Sequence, residues 1–423
     1  MPDIIADLKW RGLIHQTTDD ENLPKWLASG QRTLYAGFDP TATSLHVGHL
    51  LPLVYLRRFQ LAGHRVIALV GGATGMIGDP SGKSEERNLL SQETLEANVA
   101  AIRKQMEGYL DFGGENPALL LNNYDWMRDY TYLNFLRDVG KHFPVNVMMA
   151  KDSVRSRLER EGTGISYSEF SYMLLQAYDF VYLNRNYGCE LQIGGSDQWG
   201  NITAGIDLAR RMHGAQLYGI TCPLLLDSTG KKMGKTATGD TVWLSPERTS
   251  PYKFYQYWIN VPDADISRCL RFFTMLSHEE IEAIEQAEDP RLRQRRLAEE
   301  LTRLVHGEAG LQRAQLASEI LFGREISGLS DAELNEIFAD VPSQTLPKTA
   351  LEGAGLSLAE AFTASGLAKS NSEVRRTVEQ GGAYVNNRRV PGFEYQLTAQ
   401  DLASETVMVL RSGKKKYALL RFE

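Results

Sequence analysis

The chain has 423 residues, of which 43% are hydrophobic and 23% are charged. This is the composition of a globular protein with about two to three domains, and it excludes disordered and fibrous proteins. No apolar run approaches the roughly 18 residues that cross a bilayer, and the first residues lack the order of a signal peptide. We therefore expect a cytoplasmic protein without a membrane partner. The scattered Cys189, Cys222 and Cys269 indicate reduced thiols and lack metal-ligand spacing.

The charge is unevenly distributed. The net charge is -7, from 46 Lys and Arg against 53 Asp and Glu, and an acidic chain argues against a nucleic-acid partner. However, residues 361–423 carry ten Lys and Arg and six Asp and Glu, a balance of +4 that leaves -11 for residues 1–360. This asymmetry indicates a basic binding module attached to an acidic body.

Short β-rich runs alternate with helical patterns over the first 240 residues. We predict strands at 33–38, 66–70, 119–121, 189–193 and 222–226, and helices near 46–62, 91–110, 129–142, 144–160, 168–183 and 197–212. Apolar strands separated by helices favour an α/β fold with a doubly wound, mostly parallel, Rossmann-like sheet. Because ligands bind beyond the carboxyl ends of such strands, we expect functional residues in the loops that follow them.

The second half of the chain has a different pattern. Residues 1–246 are predicted to form the α/β domain and residues 247–340 a helical domain rich in Leu, Glu, Arg and Ala. Residues 341–356 contain two prolines and two glycines among polar residues, which indicates a linker. Residues 357–423 are predicted to form a small basic α+β domain, with helices at 357–365 and 373–380 and strands near 383–386 and 406–410.

The first predicted strand leads into a histidine pair, His46-Val47-Gly48-His49. Residues three apart share one face of a helix, and a helix N-terminus attracts anions. The pair therefore suits the phosphates of a nucleotide. A pair of structural histidines, or half of a zinc site without its other ligands, is an equally open interpretation.

A glycine-rich segment, residues 71–84, follows the second strand and includes Asp79 and Lys83. It resembles a P-loop, but the required first glycine falls on Ile77, so the Walker pattern fails. The segment with its cations Lys83 and Arg87 is more simply a flexible loop.

Three polar residues share one face of the predicted helix 168–183. Tyr172, Gln176 and Asp179 lie four and three residues apart in an otherwise apolar stretch. Buried polar groups need partners, so this face indicates a structural hydrogen-bond network, an exposed stripe or the binding of a polar ligand.

A glycine-rich turn from strand to helix, Ile193-Gly194-Gly195-Ser196-Asp197-Gln198-Trp199-Gly200-Asn201, places an acid at a helix start. Asp197 can cap the helix or accept hydrogen bonds from ribose hydroxyls.

The last motif is Lys232-Met233-Gly234-Lys235-Thr236. Lysines around a glycine in a Ser, Thr and Gly-rich stretch are typical of a solvated turn. They can also form a mobile cationic clamp for a triphosphate.

Together the histidine pair and the lysine motif resemble the two signature motifs of class I aminoacyl-tRNA synthetases. Tyr35, the 172–179 face and the 194–201 turn are similar to the bacterial tyrosyl-tRNA synthetase family. The helical segment and the basic C-terminal unit, which resembles an S4-type RNA-binding domain, follow in that family's order. The resemblance covers essentially the whole chain.

The resemblance implies a homodimer that activates L-tyrosine with ATP, accompanied by Mg²⁺ but with no metal site of the protein, and charges tRNA(Tyr). It implies that Tyr35 and Asp179 contact the phenolic hydroxyl of the bound tyrosine. Its ammonium group would be held by Asp79, Tyr172 and Gln176, and its carboxylate would lie near Gln198. It places Gly37, Asp39, Gly195 and Asp197 at the adenylate, and Thr41, His46, His49, Lys83, Arg87, Lys232, Lys235 and Thr236 at the phosphates. It assigns tRNA phosphates to Arg388, Arg389, Lys414, Lys415 and Lys416.

Departures from the family motifs are modest. Val47, Gly234 and Thr236 replace an isoleucine and two serines, and none removes a charged group aimed at phosphate. Ala36 and Pro52 stand where some relatives carry a polar residue, which would alter adenylate affinity slightly.

Three other functions compete with this one. A tryptophan-specific synthetase is disfavoured because Tyr35 and Asp179 form a pair that reads a hydroxyl. A small nucleotidyltransferase with an HxGH motif needs neither the helical domain nor the basic unit. An RNA-binding protein with an inactive synthetase body is disfavoured by the intact histidines and lysines.

Overall fold

The chain folds into two compact units. The computed structural model describes residues 3–81, 90–151, 154–155, 158–159, 164–236, 238–339, 341–414 and 416–423. The first unit comprises Met1–Thr249 and Gln256–His306, and the second comprises Ser250–Tyr255 and Gly307–Glu423. No helix of the described residues is long and apolar enough to cross a membrane.

A six-stranded sheet organises the described part of the first unit. Its strands are β1 (Gln16–Thr17), β2 (Thr33–Phe38), β3 (Arg65–Val70), β4 (Leu119–Asn122), β5 (Cys189–Gly195) and β6 (Tyr218–Cys222), in the order β1-β6-β5-β2-β3-β4. All neighbours are parallel except the edge strand β1, which pairs antiparallel with β6. The predicted α/β fold with a mostly parallel sheet is confirmed.

Helices separate these strands, as the hydrophobic periodicity predicts. They are α1 (Ile4–Arg11), α2 (Asn22–Ala28), α3 (Val47–Leu61), α4 (Thr74–Ile77), α5 (Gln92–Met106), α6 (Tyr124–Met127), α7 (Tyr132–Asp138), α8 (Val145–Met149), α9 (Tyr167–Tyr187) and α10 (Trp199–His213). Helices α11 (Pro251–Ile259), α12 (Asp263–Phe273), α13 (His278–Glu285) and α14 (Pro290–Leu321) follow. Within α14, Gly307 has non-helical angles, φ 71 and ψ 178.

The core of the first unit holds the site-bearing helix α9 against the sheet. Phe180 and Val181 of α9 and Leu208 of α10 are buried in one cluster with Ile67 of β3. Local signals fix the ends of α9, since the Ser166 side chain accepts the Glu169 N–H at its start and Gly188, at φ 63, ends it. The polar face of α9 is therefore held at a defined position beside the strands.

The second unit contains its own sheet. After α15 (Asp331–Ile337) come β7 (Ser343–Leu346), β8 (Leu356–Ser357), α16 (Leu358–Ala364), α17 (Asn371–Glu379), β9 (Ala383–Val385), β10 (Arg388–Arg389), β11 (Gln396–Leu397), β12 (Val407–Ser412) and β13 (Lys416–Phe422). Five strands form a sheet in the order β10-β9-β12-β13-β7, and β8 pairs with β11. Phe362, Val374 and Leu420 lie in the buried core beside this sheet.

The predicted strand at 222–226 is wrong in its position. The strand is β6, Tyr218–Cys222, and every residue in it is buried. Pro223 follows directly, and proline has no N–H for the ladder, so pairing ends there. Residues 224–226, which read as strand because they are three leucines, instead continue into the Lys232 loop.

Residues 341–356, predicted as a linker, contain a strand. β7 pairs parallel with β13, from Ser343 opposite Leu419 to Leu346 opposite Phe422. The predicted helix near 144–160 is limited in the described residues to Val145–Met149 and a short helical piece at 154–155, with a further helical position at 158. The three-domain boundaries themselves stay a prediction.

Candidate active site

A cleft opens where β2, β3, β5 and β6 end. Its volume is about 380 Å³. Of the predicted site residues, those that line it are Tyr35, Gly37, Asp39, His46, His49, Asp79, Tyr172, Gln176, Asp179, Gly195, Asp197, Gln198 and Lys232. Parallel strands bring their carboxyl ends to one edge, so motifs far apart in the sequence meet here.

The floor of the cleft holds a buried carboxyl group. Asp179 is 1% exposed, and its two oxygens accept hydrogen bonds from Trp126 Nε1 and Asn123 Nδ2, both at 2.9 Å. Burial raises the pKa of Asp179 to about 7, against the lowering effect of these two bonds, and the negative charge of Asp39 raises it further. Asp179 is therefore an acceptor whose charge changes near neutral pH.

Tyr35 lies beside this carboxyl with its hydroxyl unsatisfied. Its side chain is 1% exposed, and its hydroxyl has no hydrogen-bond partner among the described residues. Burial, with the nearby charge of Asp179, holds the pKa of the Tyr35 hydroxyl well above its usual range, so the group stays protonated. A buried donor without a partner beside a carboxyl suits a ligand with a hydroxyl group.

A second carboxyl, Asp39, follows strand β2. Its oxygens accept hydrogen bonds from the Thr74 hydroxyl at 2.9 Å and from the Tyr172 hydroxyl at 3.1 Å. Gly71 stands against it, since a Cβ on Gly71 would lie 2.2 Å from Asp39 Oδ1. The close approach of this backbone explains a glycine directly after strand β3.

A chain of side-chain amides ends at Asp79. Asn201 Nδ2 donates to Gln176 Oε1 at 3.0 Å, Gln176 Nε2 to Gln198 Oε1 at 3.3 Å, and Gln198 Nε2 to Asp79 Oδ2 at 2.6 Å. The other Asp79 oxygen accepts the Ser81 N–H at 2.9 Å. Amide and carboxylate oxygens gathered at the wall of a cleft suit a cationic group such as an ammonium.

The histidine pair lies at the N-terminus of α3. His46 Nδ1 accepts the Gly48 N–H at 3.0 Å, His49 Nδ1 accepts the His46 N–H at 3.2 Å, and the two ring centroids are 4.0 Å apart. The pair thus forms a capping box with imidazoles in place of the usual side chains. The interpretation as structural histidines and the one as phosphate ligands are both compatible with this geometry, because both rings also line the cleft.

The lysine loop packs against the same helix start. The Gly234 N–H donates to the Tyr257 hydroxyl at 2.8 Å, and its carbonyl accepts the Val242 N–H at 2.9 Å. The Val242 carbonyl accepts the Val47 N–H at 3.1 Å. These bonds hold the loop that carries Lys232 beside the histidines.

Asp197 lies at the turn after strand β5, opposite the lysine loop. Burial raises the pKa of Asp197, the charge of Asp79 raises it further, and Lys232 lowers it. A Cβ on Gly195 would lie 2.8 Å from Asp197 Oδ1, so the turn is closely packed. The N-cap residue of α10 is Gln198, not Asp197.

Some predicted residues lie elsewhere. Thr41, Lys235 and Thr236 are exposed and are not among the residues that line the cleft. Lys83, Arg87 and Lys415 lie outside the described residues. No group of three or more His, Cys, Asp or Glu side chains in the described ranges is arranged to hold a metal ion.

Several polar residues at the site escaped the sequence analysis. Asn123, Trp126, Thr74 and Asn201 bind the predicted acids and amides, and Gln192 Oε1 is a buried cleft-lining atom without a partner among the described residues. Asn123 and Trp126 directly follow strand β4, so the rule that strand ends carry function would have found them. Gln192 is inside a strand, where one sequence gives no such signal.

The predicted tRNA-contacting residues within the described ranges lie on the second sheet or in one of its turns. Arg388 and Arg389 form β10, after a turn in which Asn386 and Asn387 have positive φ of 49 and 62. Arg388 is paired with Glu325, whereas Lys414 and Lys416 are exposed at the turn between β12 and β13. Their charges are thus presented by two hairpins of one sheet.

Comparison with known proteins places these features in a family. The model for class I tRNA synthetases (W and Y) matches residues 28–323, and a model for the tyrosine–tRNA ligase SYY-like C-terminal domain matches residues 333–420. Tyrosine–tRNA ligase of Rhodopirellula baltica is 61% identical over 99% of this chain and 96% of its own. The enzymes named tyrosine–tRNA ligase from Roseiflexus castenholzii and Geobacillus stearothermophilus are 54% and 52% identical, over 100% and 99% of this chain and 100% of each relative.

Solved structures agree. A C-terminally truncated Aspergillus nidulans mitochondrial tyrosyl-tRNA synthetase is 32% identical, with a TM-score of 0.69 over 76% of this chain and 95% of that chain. The corresponding Coccidioides posadasii protein is also 32% identical, with a TM-score of 0.65 over 74% of this chain and 91% of that one.

Proposed function

Because the chain belongs to the family of class I tRNA synthetases for tryptophan and tyrosine, we propose that it attaches L-tyrosine to tRNA(Tyr) at the expense of ATP. Its sequence identity of 54–61% to tyrosine–tRNA ligases, over nearly the full length of the chain, supports tyrosine rather than tryptophan as the substrate. The observation that carries the specificity is the buried pair of Tyr35, with its unsatisfied hydroxyl, and Asp179. A tryptophan or phenylalanine side chain would leave the Tyr35 hydroxyl without a partner among the described residues, at a cost of about 1–3 kcal/mol. It would also give Asp179 no donor beyond Asn123 and Trp126.

The first step joins tyrosine to AMP. The tyrosine carboxylate attacks the α-phosphorus of ATP, the bond to the bridging oxygen breaks, and pyrophosphate leaves. An amino acid carboxylate is ionised at pH 7, so the step needs no general base. Positioning and cationic groups that meet the phosphate charge supply the catalysis.

The amino acid is held from both ends. Tyr35 and Asp179 bind the phenolic hydroxyl, and Asp79, Tyr172 and Gln176 bind the ammonium group, which needs acceptors. Gln198 lies next to Asp79 and faces the substrate carboxylate. The tyrosine ring lies along the cleft between the residues that bind the hydroxyl and those that bind the ammonium group.

ATP occupies the other half of the cleft. Gly37, Asp39, Gly195 and Asp197 surround the adenylate, with Asp197 at the ribose hydroxyls. His46, His49 and Lys232 line the cleft and bind the phosphates. From the family resemblance alone, we assign the departing pyrophosphate to Thr41, Lys235 and Thr236 and to Lys83 and Arg87, the last two of which lie outside the described residues. Mg²⁺ would accompany the triphosphate and neutralise part of its charge, since this ion typically needs few protein ligands when it is bound with a nucleotide.

In the second step the terminal ribose hydroxyl of tRNA attacks the tyrosyl carbonyl, and AMP leaves. Arg388, Arg389, Lys414 and Lys416 of the second unit contact tRNA phosphates, together with Lys415, which lies outside the described residues. We place the reaction in the cytoplasm, where tRNA and ATP are present.

A homodimer is supported by an exposed apolar surface of the first unit. Tyr132 and Leu133 of α7, Val145, Val147 and Met149 of α8, and Tyr167 of α9 are between 46% and 75% exposed. The Tyr132 and Tyr167 hydroxyls are 3.4 Å apart, which brings α7 and α9 together. Contiguous apolar surface of this kind marks protein interfaces.

Pyrophosphate exchange with each of the twenty amino acids tests the function. We expect exchange with tyrosine alone, and exchange with tryptophan, or with no amino acid, contradicts the proposal. Tyr35→Phe removes one hydroxyl and should lower the tyrosine kcat/KM roughly five- to tenfold, which narrows discrimination against phenylalanine. Tyr55→Phe is the matched control, because the Tyr55 hydroxyl is equally buried and has no hydrogen-bond partner in the described part of the chain, but Tyr55 does not line the cleft.

A further inference from the structure

Asn201 is a buried amide directly behind the cleft. It is the third residue of α10, it is 3% exposed, and it is not among the residues that line the cleft. Its Nδ2 lies 3.0 Å from Gln176 Oε1, 3.2 Å from Gln198 Oε1 and 3.4 Å from the Ser81 hydroxyl. One donor nitrogen thus meets the oxygens of both glutamines that face the cleft.

This contact sets the direction of the whole amide chain. A side-chain amide has acceptors on one end and donors on the other, so a donor at Asn201 turns both glutamine oxygens toward itself. The Gln198 nitrogen is then directed to Asp79 Oδ2, at 2.6 Å. If either glutamine turned over, its NH₂ would face the Asn201 NH₂, and a turned Gln198 would also bring its oxygen against the Asp79 carboxylate.

We propose that Asn201 is a positioning residue for the ammonium end of the bound amino acid. It keeps the second lone pair of Gln176 Oε1 and the Asp79 carboxylate available as acceptors for the ammonium, and it keeps Gln198 Nε2 directed to the Asp79 carboxylate. The proposal rests on the proposed function, since it names a residue that supports the same tyrosine site. Asn201 itself touches no substrate.

The test separates the two ends of the ligand. Tyramine carries the ammonium and the phenol but no carboxylate, whereas 3-(4-hydroxyphenyl)propanoate carries the carboxylate and the phenol but no ammonium. In Asn201→Leu, which has the same number and branching of side-chain heavy atoms but no donor, we expect the affinities for tyrosine and tyramine to fall about tenfold. The affinity for 3-(4-hydroxyphenyl)propanoate should change less than twofold.

Competition with tyrosine in pyrophosphate exchange by the full chain gives all three affinities. The effect should be on the tyrosine KM, with kcat changed less, and the ratio of tyrosine to phenylalanine kcat/KM should be kept, because Tyr35 and Asp179 are untouched. Asn201→Ser, which retains a shorter hydroxyl donor, should lose less affinity than Asn201→Leu and provides the test if the leucine variant does not fold. Asn186→Leu, at an exposed asparagine of α9, is the control for the substitution itself.

Equal losses for tyramine and 3-(4-hydroxyphenyl)propanoate, or no loss for either, overturn the role of Asn201. A wild-type chain that binds neither tyrosine nor tyramine contradicts the proposed function instead, so the two failures are distinguishable.

Discussion

At the scale of single residues, the cleft keeps polar atoms in unfavourable surroundings. The Tyr35 hydroxyl and Gln192 Oε1 are buried without partners among the described residues, and β2 and β5 place these two residues directly opposite each other. A buried polar atom without a hydrogen bond costs about 1–3 kcal/mol. A ligand with a hydroxyl group recovers part of that free energy, and one without it does not.

The buried Asp179 makes tyrosine binding pH-dependent. Its pKa of about 7 means that part of the population is protonated at neutral pH, and a hydrogen bond from the substrate hydroxyl favours the ionised form. Tyrosine binding should therefore release a fraction of a proton near pH 7 and almost none at pH 9, where the carboxyl is already ionised. Titration calorimetry in buffers of different ionisation enthalpy measures this number.

Phenylalanine, which lacks the hydroxyl, is the control ligand and should release less. Equal proton release for both amino acids would show that Asp179 does not bind the hydroxyl.

The raised pKa of Asp179 also affects the stability of the folded chain. The contribution of this carboxyl is fully present below its usual value of 3.8 and is lost as the pH rises to about 7, because the unfolded chain then ionises more readily than the folded one.

At the scale of elements, the lysine loop depends on a glycine. Gly234 has φ +97, and a Cβ there would lie 3.4 Å from Val47 Cβ. An L-residue at this angle costs roughly 1–3 kcal/mol, so Gly234→Ala should loosen the loop from the start of α3. We expect slower pyrophosphate exchange and a higher KM for ATP, with the tyrosine affinity changed less than twofold.

Gly239→Ala is the matched comparison for this loop. Gly239 has φ +92, but a Cβ there would meet no described residue within 4 Å. It carries the backbone strain without the contact to Val47 and should lose less exchange activity. If both variants lose equally, or if tyrosine binding falls as much as exchange, the loop does not act through its contact with α3.

Two strands of the second unit, β13 and β7, were not predicted from the sequence patterns. β13, residues Lys416–Phe422, lies in the predicted basic domain but outside its predicted strands, yet six of its residues pair with β12 and four with β7. The sequence does not predict strand β7, because the flanking Pro342 and Pro347 are typical of a linker. A short edge strand forms wherever a partner strand offers its backbone, and single-sequence patterns do not contain that partner.

At the scale of the whole molecule, the dimer proposal is testable through charge. Leu133→Glu combined with Val147→Glu places two charges in the exposed apolar surface, where burial would cost several kcal/mol. Sedimentation velocity should show a dimer for the wild type and a monomer for this variant. Leu61→Glu, at a comparably exposed leucine of α3, should remain dimeric. A monomeric wild type would contradict the proposal.

The basic sheet of the second unit should affect tRNA alone. Replacing Arg389, Lys414 and Lys416 by alanine should raise the tRNA KM and reduce the slope of binding against salt concentration by roughly one for each lost phosphate contact. Tyrosine-dependent pyrophosphate exchange should be unchanged.

Arg324→Ala removes an arginine of the same unit that is paired with Glu319 and should leave the salt slope as it is. A triple variant with unchanged tRNA binding would mean that the charge asymmetry of the chain has another purpose.

The sequence by itself determined the fold class, the family and the positions of the chemistry-bearing motifs. It could do so because helix and strand periodicity, glycine turns and the spacing of cations are local properties that can be recognised directly in a sequence. The Tyr172, Gln176 and Asp179 face follows from helical geometry alone, and the cleft contains all three.

Only the tertiary structure decided what surrounds those motifs. Asn123 and Trp126 lie over 50 residues from Asp179, and the Asn201 amide lies 25 residues from Gln176. Partners at such distances are brought together by the packing of strands and helices, which no local pattern encodes. The net charge of -7 shows the same division, since an acidic average says nothing of where folding gathers the cations.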